Sequence, residues 1–356
     1  MRYIFNHNTQ PVTRIKFGKN SVSMLAFISE DLTISLFNML AREELPQIFS
    51  GHKQRITDFD WSTTNDFIIT SSIDKSLRYW DVKTQKTLRL LPSLYELYCC
   101  AFHPVNNTIV VAGTSNGFVE FKNCSTGKDI SKVYVESVTR SIIFSEDGLY
   151  LFLACDDGKI RWLKCNNVGK FTQFKLAGSA RVLAGKSITS IDCHYSTLRK
   201  NKVINLLLNM KDSTVRVYQF FPNHHDDKSL VLLVSCPVIN KNYTLRASFC
   251  PTSKGRKKSN EIEEFFAVGS EDSIVRVFAY PLEVGHGCGK YKQVDELSGH
   301  SAAVLDVAWS CDGSLLASSD SSGTVIVWKK PEPELKTPTE SPSKLTNVTR
   351  INSTNF

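Results

Sequence analysis

Four short stretches of the sequence bring together side chains that could do chemistry. Gly113-Thr-Ser115-Asn-Gly117 satisfies G-x-S-x-G, in which a sharp strand-to-helix turn projects a serine hydroxyl beside a base. Here apolar alternation flanks the motif on both sides, so the sequence predicts a strand-to-strand turn, and a hydrolase reading would rest on Ser115 alone. His224-His-Asp-Asp227 has the donor types of a metal site, but adjacent residues on a polar insertion rarely converge on one ion. Gly285-His-Gly-Cys-Gly-Lys290 is small enough to cradle a phosphate. Its spacing misses the P-loop, however, and Tyr291 stands where a magnesium-binding Ser or Thr should be, so it reads as a linker. Lys254-Gly-Arg-Lys-Lys258 concentrates positive charge for a phosphate contact or a nuclear address, and Glu261, Glu263 and Glu264 largely cancel it. No catalytic or metal-binding residue is assigned on these grounds, and no cofactor is expected.

The elements around these stretches belong to a folded chain. Of 356 residues, 42% are apolar and 22% charged, enough to bury a large core. No apolar run approaches the roughly 18 residues of a membrane helix, and the first residues lack the apolar segment of a secretory signal. The ten cysteines fall mostly as single residues inside strand patterns, with no C-x-x-C pair, and read as reduced core thiols of an intracellular protein. A formal charge of +8 permits an acidic partner without demanding one.

One unit recurs seven times: an apolar alternation, a polar turn, an apolar strand, a tight acidic turn and another alternating strand. The second copy is the clearest, with Gly51-His52, Ile56 to Trp61, Phe67 to Ser72, a turn at Ile73-Asp74-Lys75, and Leu77 to Asp81. The last copy runs from Gly299-His300 through Val304 to Trp309 and Ser314 to Ser319, ending at Val325-Ile-Val-Trp328. The turn markers Asp31, Asp74, Asn116, Asp157, Asp212, Asp272 and Ser322 are 43, 42, 41, 55, 60 and 50 residues apart, with insertions in the fifth and sixth copies.

This pattern resembles the WD-repeat family. The resemblance implies an all-β fold, a seven-bladed β-propeller of WD repeats over residues 1–330, and the tail over 331–356, rich in Pro, Ser, Thr and charge, reads as disordered. After Trp328 the chain runs into Lys-Lys-Pro-Glu-Pro, which cannot make an outer strand, so Tyr3 to Asn6 is predicted to close the ring as the fourth strand of the last blade. In WD repeats a histidine, a strand hydroxyl, a turn aspartate and a tryptophan lock each blade. His52, Ser72, Asp74 and Trp80 match that tetrad. The last blade has Ser322 where the aspartate belongs and the third has Asn116 and Lys122, so both should be less rigid.

Propellers usually bind where the central channel opens, through residues flanking the first core residue of each inner strand and the residue before the turn aspartate. That rule selects Arg55, Arg140, Lys211 and Arg246, the acidic Glu30, Glu96, Asp156 and Glu271, and the apolar surface of Ile73, Tyr98 and Leu305. Mixed charge around an aromatic suits a protein segment better than a uniform phosphate track. Protein partners are therefore expected, not a small-molecule substrate, a membrane or direct contact with nucleic acid.

Particular segments resemble the WD repeat-containing protein 13 family: Asp58 to Asp66, Cys99 to Asn107, and Gly299 to Asp306 continuing through Leu315 to Asp320 and Val325 to Trp328. The likeness spans about residues 11 to 330, strong in blades two, three and seven and weak in five and six; Ser322 fits it. Its members carry a long extension ahead of the propeller, and this sequence begins at the closing strand. The resemblance implies a non-enzymatic nuclear scaffold associated with chromatin or transcription regulators, with the cytoplasm as the other compartment. The alternative is a substrate receptor of a cullin-type ubiquitin ligase, because Trp80-Asp81-Val82-Lys83 resembles the W-D-x-R/K adaptor-docking signature, with Lys for the usual Arg.

Overall fold

A computed structural model describes residues 3–6, 8–40, 45–166, 173–183, 185–198, 201–222, 229–251, 263–282 and 289–329. The clusters 224–227 and 254–258, most of the glycine-rich stretch 285–290 and the tail beyond 330 lie outside the described residues.

The regular elements form seven four-stranded antiparallel sheets. Alternating or continuous apolar runs of about six residues cannot bury both faces of such a sheet alone, so the blades pack on one another in a ring. The first strand of each blade touches the first strand of the next, and that of the last blade, Val304–Trp309, touches Val12–Phe17 of the first. The core therefore lies between neighbouring blades. Ile28, Leu36 and Phe49 of blade one meet Trp61, Ile68 and Trp80 of blade two, and Phe27 and Phe37 of blade one meet Ala317 and Val327 of blade seven on the other side.

The seventh blade takes its fourth strand from Tyr3–Phe5, which pairs antiparallel with Val325–Lys329 in the register Tyr3↔Val327 and Phe5↔Val325. The chain then returns past Gly323. This residue has φ +94°, and an added Cβ would lie 2.3 Å from the Asn8 carbonyl oxygen, so glycine is needed both for the turn and for the close passage of the connecting chain.

The polar lock of blade two differs from the expected one. The imidazole of His52 lies 2.8 Å from Asp74 Oδ2 through Nδ1 and 2.7 Å from Thr70 Oγ1 through Nε2, and Trp80 Nε1 donates to the same hydroxyl at 2.9 Å. The hub is Thr70, not Ser72. Ser72 instead donates to the carbonyls of Gln54 and Arg55 and accepts from the Asp74 N–H, fastening the turn. Burial lowers the His52 pKa despite Asp74, leaving a neutral ring. Its partners then assign Nδ1–H to Asp74, with Nε2 accepting the Thr70 proton.

Blade seven is corrected in the same way. His300 Nδ1 lies 2.8 Å from Asp320 and its Nε2 2.6 Å from Ser318 Oγ, to which Trp328 Nε1 donates at 2.8 Å. The network is complete, and Asp320 supplies the carboxylate that Ser322 lacks. The grounds for expecting a looser blade seven fall with it.

Blade three has no such network. Lys122, on the strand position where blade two has Trp80, is buried beside the equally buried Glu120 at 3.4 Å, and Lys132 reaches Glu120 at 2.8 Å. Lys122 also donates to the Pro92 carbonyl at 2.9 Å and pairs with Asp129. Blades four, five and six use a third device, an arginine four residues after the turn aspartate: Asp157–Arg161, Asp212–Arg216 and Asp272–Arg276, at 2.7, 2.7 and 2.5 Å.

Candidate functional site

The channel opens on the face carrying the turns between second and third strands, and a cavity of about 320 Å³ sits at its mouth. Its lining is set by a repeated irregularity. In six blades the pairing between first and second strands slips by one residue, a bulge that leaves Thr13, Thr57, Tyr98, Arg140, Thr189 or Leu305 unpaired. In blade six Arg246 holds the corresponding place, just ahead of Ala247–Phe249. All seven side chains line the cavity, one from each blade. A bulge re-aims a side chain that regular alternation would send to a sheet face, and here it aims one per blade at the axis.

Not all seven are free to bind. Thr57 Oγ1 donates to the Leu97 carbonyl at 2.8 Å and Thr189 Oγ1 to the Leu245 carbonyl at 3.2 Å, each tying its blade to the next. Arg140 is held by Asp156 through three contacts of 2.6 to 2.9 Å, with its guanidinium 4.6 Å from the centre of the Tyr98 ring. Partial burial and the Arg140 and Ser187 hydrogen bonds act oppositely on Asp156, and the bonds win, holding its pKa below the usual carboxylate range. Tyr98 donates to Glu96 at 3.0 Å, and burial with that bond pushes its phenol up.

The remaining predicted residues divide by role. Arg55 and Glu30 line the cavity and approach to 3.7 Å. Arg246 reaches across to Ser141 Oγ at 3.3 Å. Glu271 and Lys211 do not line the mouth. Glu271 accepts the backbone N–H groups of Lys241, Asn242 and Tyr243 at 2.6 to 2.9 Å, and Lys211 donates to the Tyr243 carbonyl at 2.6 Å. Together they hold the loop that brings Asn242 and Tyr243 to the rim. Burial acts upward on Glu271, and the three N–H donors outweigh it and lower its pKa. Ile73 is half-buried in the neighbouring turn and is absent from the lining. Sequence reasoning missed Thr13, Thr57, Thr189 and Tyr243.

Below the mouth the inner strands carry charge. Arg14 lies 3.4 Å from Asp58, and Lys19 2.9 Å from Asp60. Carboxylates here also link successive blades: Asp60 accepts the Phe102 N–H at 2.9 Å, Asp192 that of Phe249 at 2.8 Å, and Asp306 that of Ile15 at 3.0 Å, the last across the ring closure. Burial raises the Asp306 pKa to about 7, against the pull of Arg14 and two backbone N–H groups. A carboxyl raised above its unfolded value of roughly 4 contributes stability that is full below that value and is lost as pH rises through the folded pKa. Relative to Asp306→Asn, the wild-type melting temperature should therefore fall between about pH 4 and about pH 7. A difference independent of pH would refute the assignment.

Ser115 lies in the turn between Ile109–Thr114 and Phe118–Asn123, its backbone N–H donating to the Glu96 carbonyl at 2.9 Å. Among the described residues no histidine stands within hydrogen-bonding distance of its hydroxyl, and none groups into a metal site.

Residues 43–81 and 291–329 match the WD domain, G-beta repeat. Each stretch runs from the outer strand of one blade through three strands of the next, and the two contain the complete histidine networks of blades two and seven. An uncharacterized WD repeat-containing protein of Schizosaccharomyces pombe is 24% identical over 169 residues, 47% of this chain and 29% of that protein. WD repeat-containing protein 44 of Xenopus laevis is 22% identical over 77% of this chain and 28% of its own length, and mouse Jouberin 26% identical over 47% and 17%. The chain thus spans less than a third of the length of these relatives. The β-propeller domain of Cps50 (Swd1) from Myceliophteria thermophila superposes with a TM-score of 0.69 at 16% identity, covering 93% of this chain and all of that one. The fold is thus that of a seven-bladed β-propeller, two of whose blades match the WD repeat.

Proposed function

We propose that this chain is a non-enzymatic scaffold whose channel mouth grips a segment of a partner protein, and that its partners are nuclear regulators of chromatin or transcription. The observation that carries the docking role is the ring of seven re-aimed side chains. Beside three threonines and a leucine it offers two arginines and a tyrosine, residue types enriched at the centres of protein interfaces, around one open cavity on a rigid frame. The polar networks elsewhere in the blades lock packing, which is a structural use of buried hydrogen bonds. The nuclear part rests on the resemblance of blades two, three and seven to the WD repeat-containing protein 13 family. Ligase-adaptor docking is the second reading, supported by Lys83, which is exposed beside the turn-capping Asp81 at the blade end away from the mouth. Copurification of a cullin adaptor lost on Lys83→Glu would favour it.

Affinity capture of the tagged chain from nuclear and cytoplasmic fractions tests the main reading. Arg55→Glu with Arg246→Glu is the suitable variant, because Arg140 is tied to Asp156 and its reversal would disturb folding. Nuclear partners should come down with wild type and be lost with the double variant. The same partners retained by both would move binding to the blade sides or insertions.

A further inference from the structure

We infer that the occupant of the mouth is an acidic peptide segment, one of whose carboxylate or phosphate groups is received by Arg246 and Arg55. The inference rests on the docking role proposed above and specifies its chemistry. It follows from which charged groups in and around the mouth are already engaged. Arg140 is committed to Asp156, Lys211 to a carbonyl, and the buried Arg14 to Asp58 and the Thr57 carbonyl. Of the acceptors, Asp156 is committed to Arg140 and Ser187, Glu96 to Tyr98 and Glu271 to three backbone N–H groups, which leaves Glu30, in the cavity lining 3.7 Å from Arg55.

Two cations remain. Half-buried Arg246 makes one side-chain hydrogen bond among the described residues, a 3.3 Å contact with the neutral Ser141 hydroxyl. The Arg55 side chain is 57% exposed and, among the described residues, has only the loose 3.7 Å approach to Glu30. A guanidinium carries five N–H donors and accepts nothing, so even with the Glu30 carboxylate facing Arg55, the two guanidiniums leave the cavity a net excess of donors and of positive charge. The planar fork suits carboxylate and phosphate oxygens, and the Tyr98–Arg140 stack offers a flat wall for the chain bearing them. The spare charge is confined to one cavity of about 320 Å³. A nucleic-acid strand needs a basic groove that follows its backbone, so an extended peptide placing one anionic side chain in the hole fits better.

Fluorescence anisotropy on the purified chain provides the test, with three labelled probes of equal charge: a Glu-Gly repeat peptide, a phosphoserine-Gly repeat peptide and an oligouridine. One or both peptides should bind wild type with an affinity that falls as salt rises. Arg246→Gln should weaken that binding about tenfold or more, Arg246→Lys less, and Lys83→Gln, at the opposite end of blade two, not at all. Equal melting temperatures show that each variant is folded. Which peptide binds more tightly identifies the anionic group. The inference is overturned if neither peptide binds wild type, if Arg246→Gln binds as well as wild type, or if oligouridine binds more tightly than both. Should cellular partners depend on Arg55 and Arg246 while both peptides fail, the acidic occupant is wrong and the docking face stands.

Discussion

Glu120→Gln should lower the stability of the chain by about 3 kcal/mol, because it leaves the Lys122 ammonium in blade three without its buried counter-charge. Both side chains are almost wholly excluded from solvent, and the remaining anionic partner, Asp129, is 57% exposed. Taking an ammonium out of water costs several kcal/mol, and the attraction to a nearby carboxylate in a poorly polarisable interior is what offsets it. The amide of glutamine keeps the volume and removes the charge. Pairing it with Lys122→Met should recover most of the loss, since no uncompensated buried ion remains, Lys132 and Asp129 being 37% and 57% exposed, and an apolar chain of similar length fills the space. Urea denaturation of the wild type and of both single and double variants measures this coupling. If Glu120→Gln alone falls within about 0.5 kcal/mol of wild type, as an ordinary surface substitution would, the ion pair is not holding blade three together.

The second large effect belongs to blade two. Thr70→Val preserves shape and removes the hydroxyl that both His52 and Trp80 use, so two buried polar groups lose their partner at once. An unsatisfied buried donor or acceptor costs roughly 1 to 3 kcal/mol, so a combined loss of about 3 kcal/mol is expected. Ser72→Ala removes a hydroxyl bonded to backbone at the strand end and should cost about 1 kcal/mol. The order of these losses separates the two assignments of the hub. A larger loss from Ser72→Ala than from Thr70→Val would return the central role to Ser72.

These two residues also show what the sequence reveals and what it conceals. Repetition made the seven blades, their order and the closing strand at Tyr3 legible, because each blade needs a neighbour and the last one lacks an outer strand of its own. The polar locks were legible only to within two positions. Thr70 and Ser72 point to the same face of one strand, and alternation of period two cannot tell such a pair apart; in blade seven the carboxylate sits at the strand end, on Asp320, two residues before the turn position Ser322. What decides is depth: Thr70 lies opposite Arg78 in the ladder, within reach of Trp80, while Ser72 lies at the strand end opposite Ser76. The Asp–Arg forks of blades four to six stood in the sequence as an arginine four residues after each turn aspartate, a spacing that a search for tryptophan passes over.

The mouth was legible in part for a different reason. Arg55, Tyr98, Arg140 and Arg246 were found by position, and all four line the cavity. A one-residue bulge leaves no mark in composition, so threonines at the same place in blades one, two and five read as ordinary strand residues. Glu271 and Lys211 carry charges of the right kind, yet they serve the loop bearing Tyr243, which only their backbone partners disclose.

The most direct measurement is amide hydrogen exchange of the chain alone and in complex with a captured partner, read residue by residue around the ring. The account predicts added protection at the channel mouth, around Arg55, Tyr98, Asn242 to Arg246 and Leu305, with the outer strands of the blades unchanged. Protection confined to the outer strands, with the mouth exchanging as in the free chain, would contradict it.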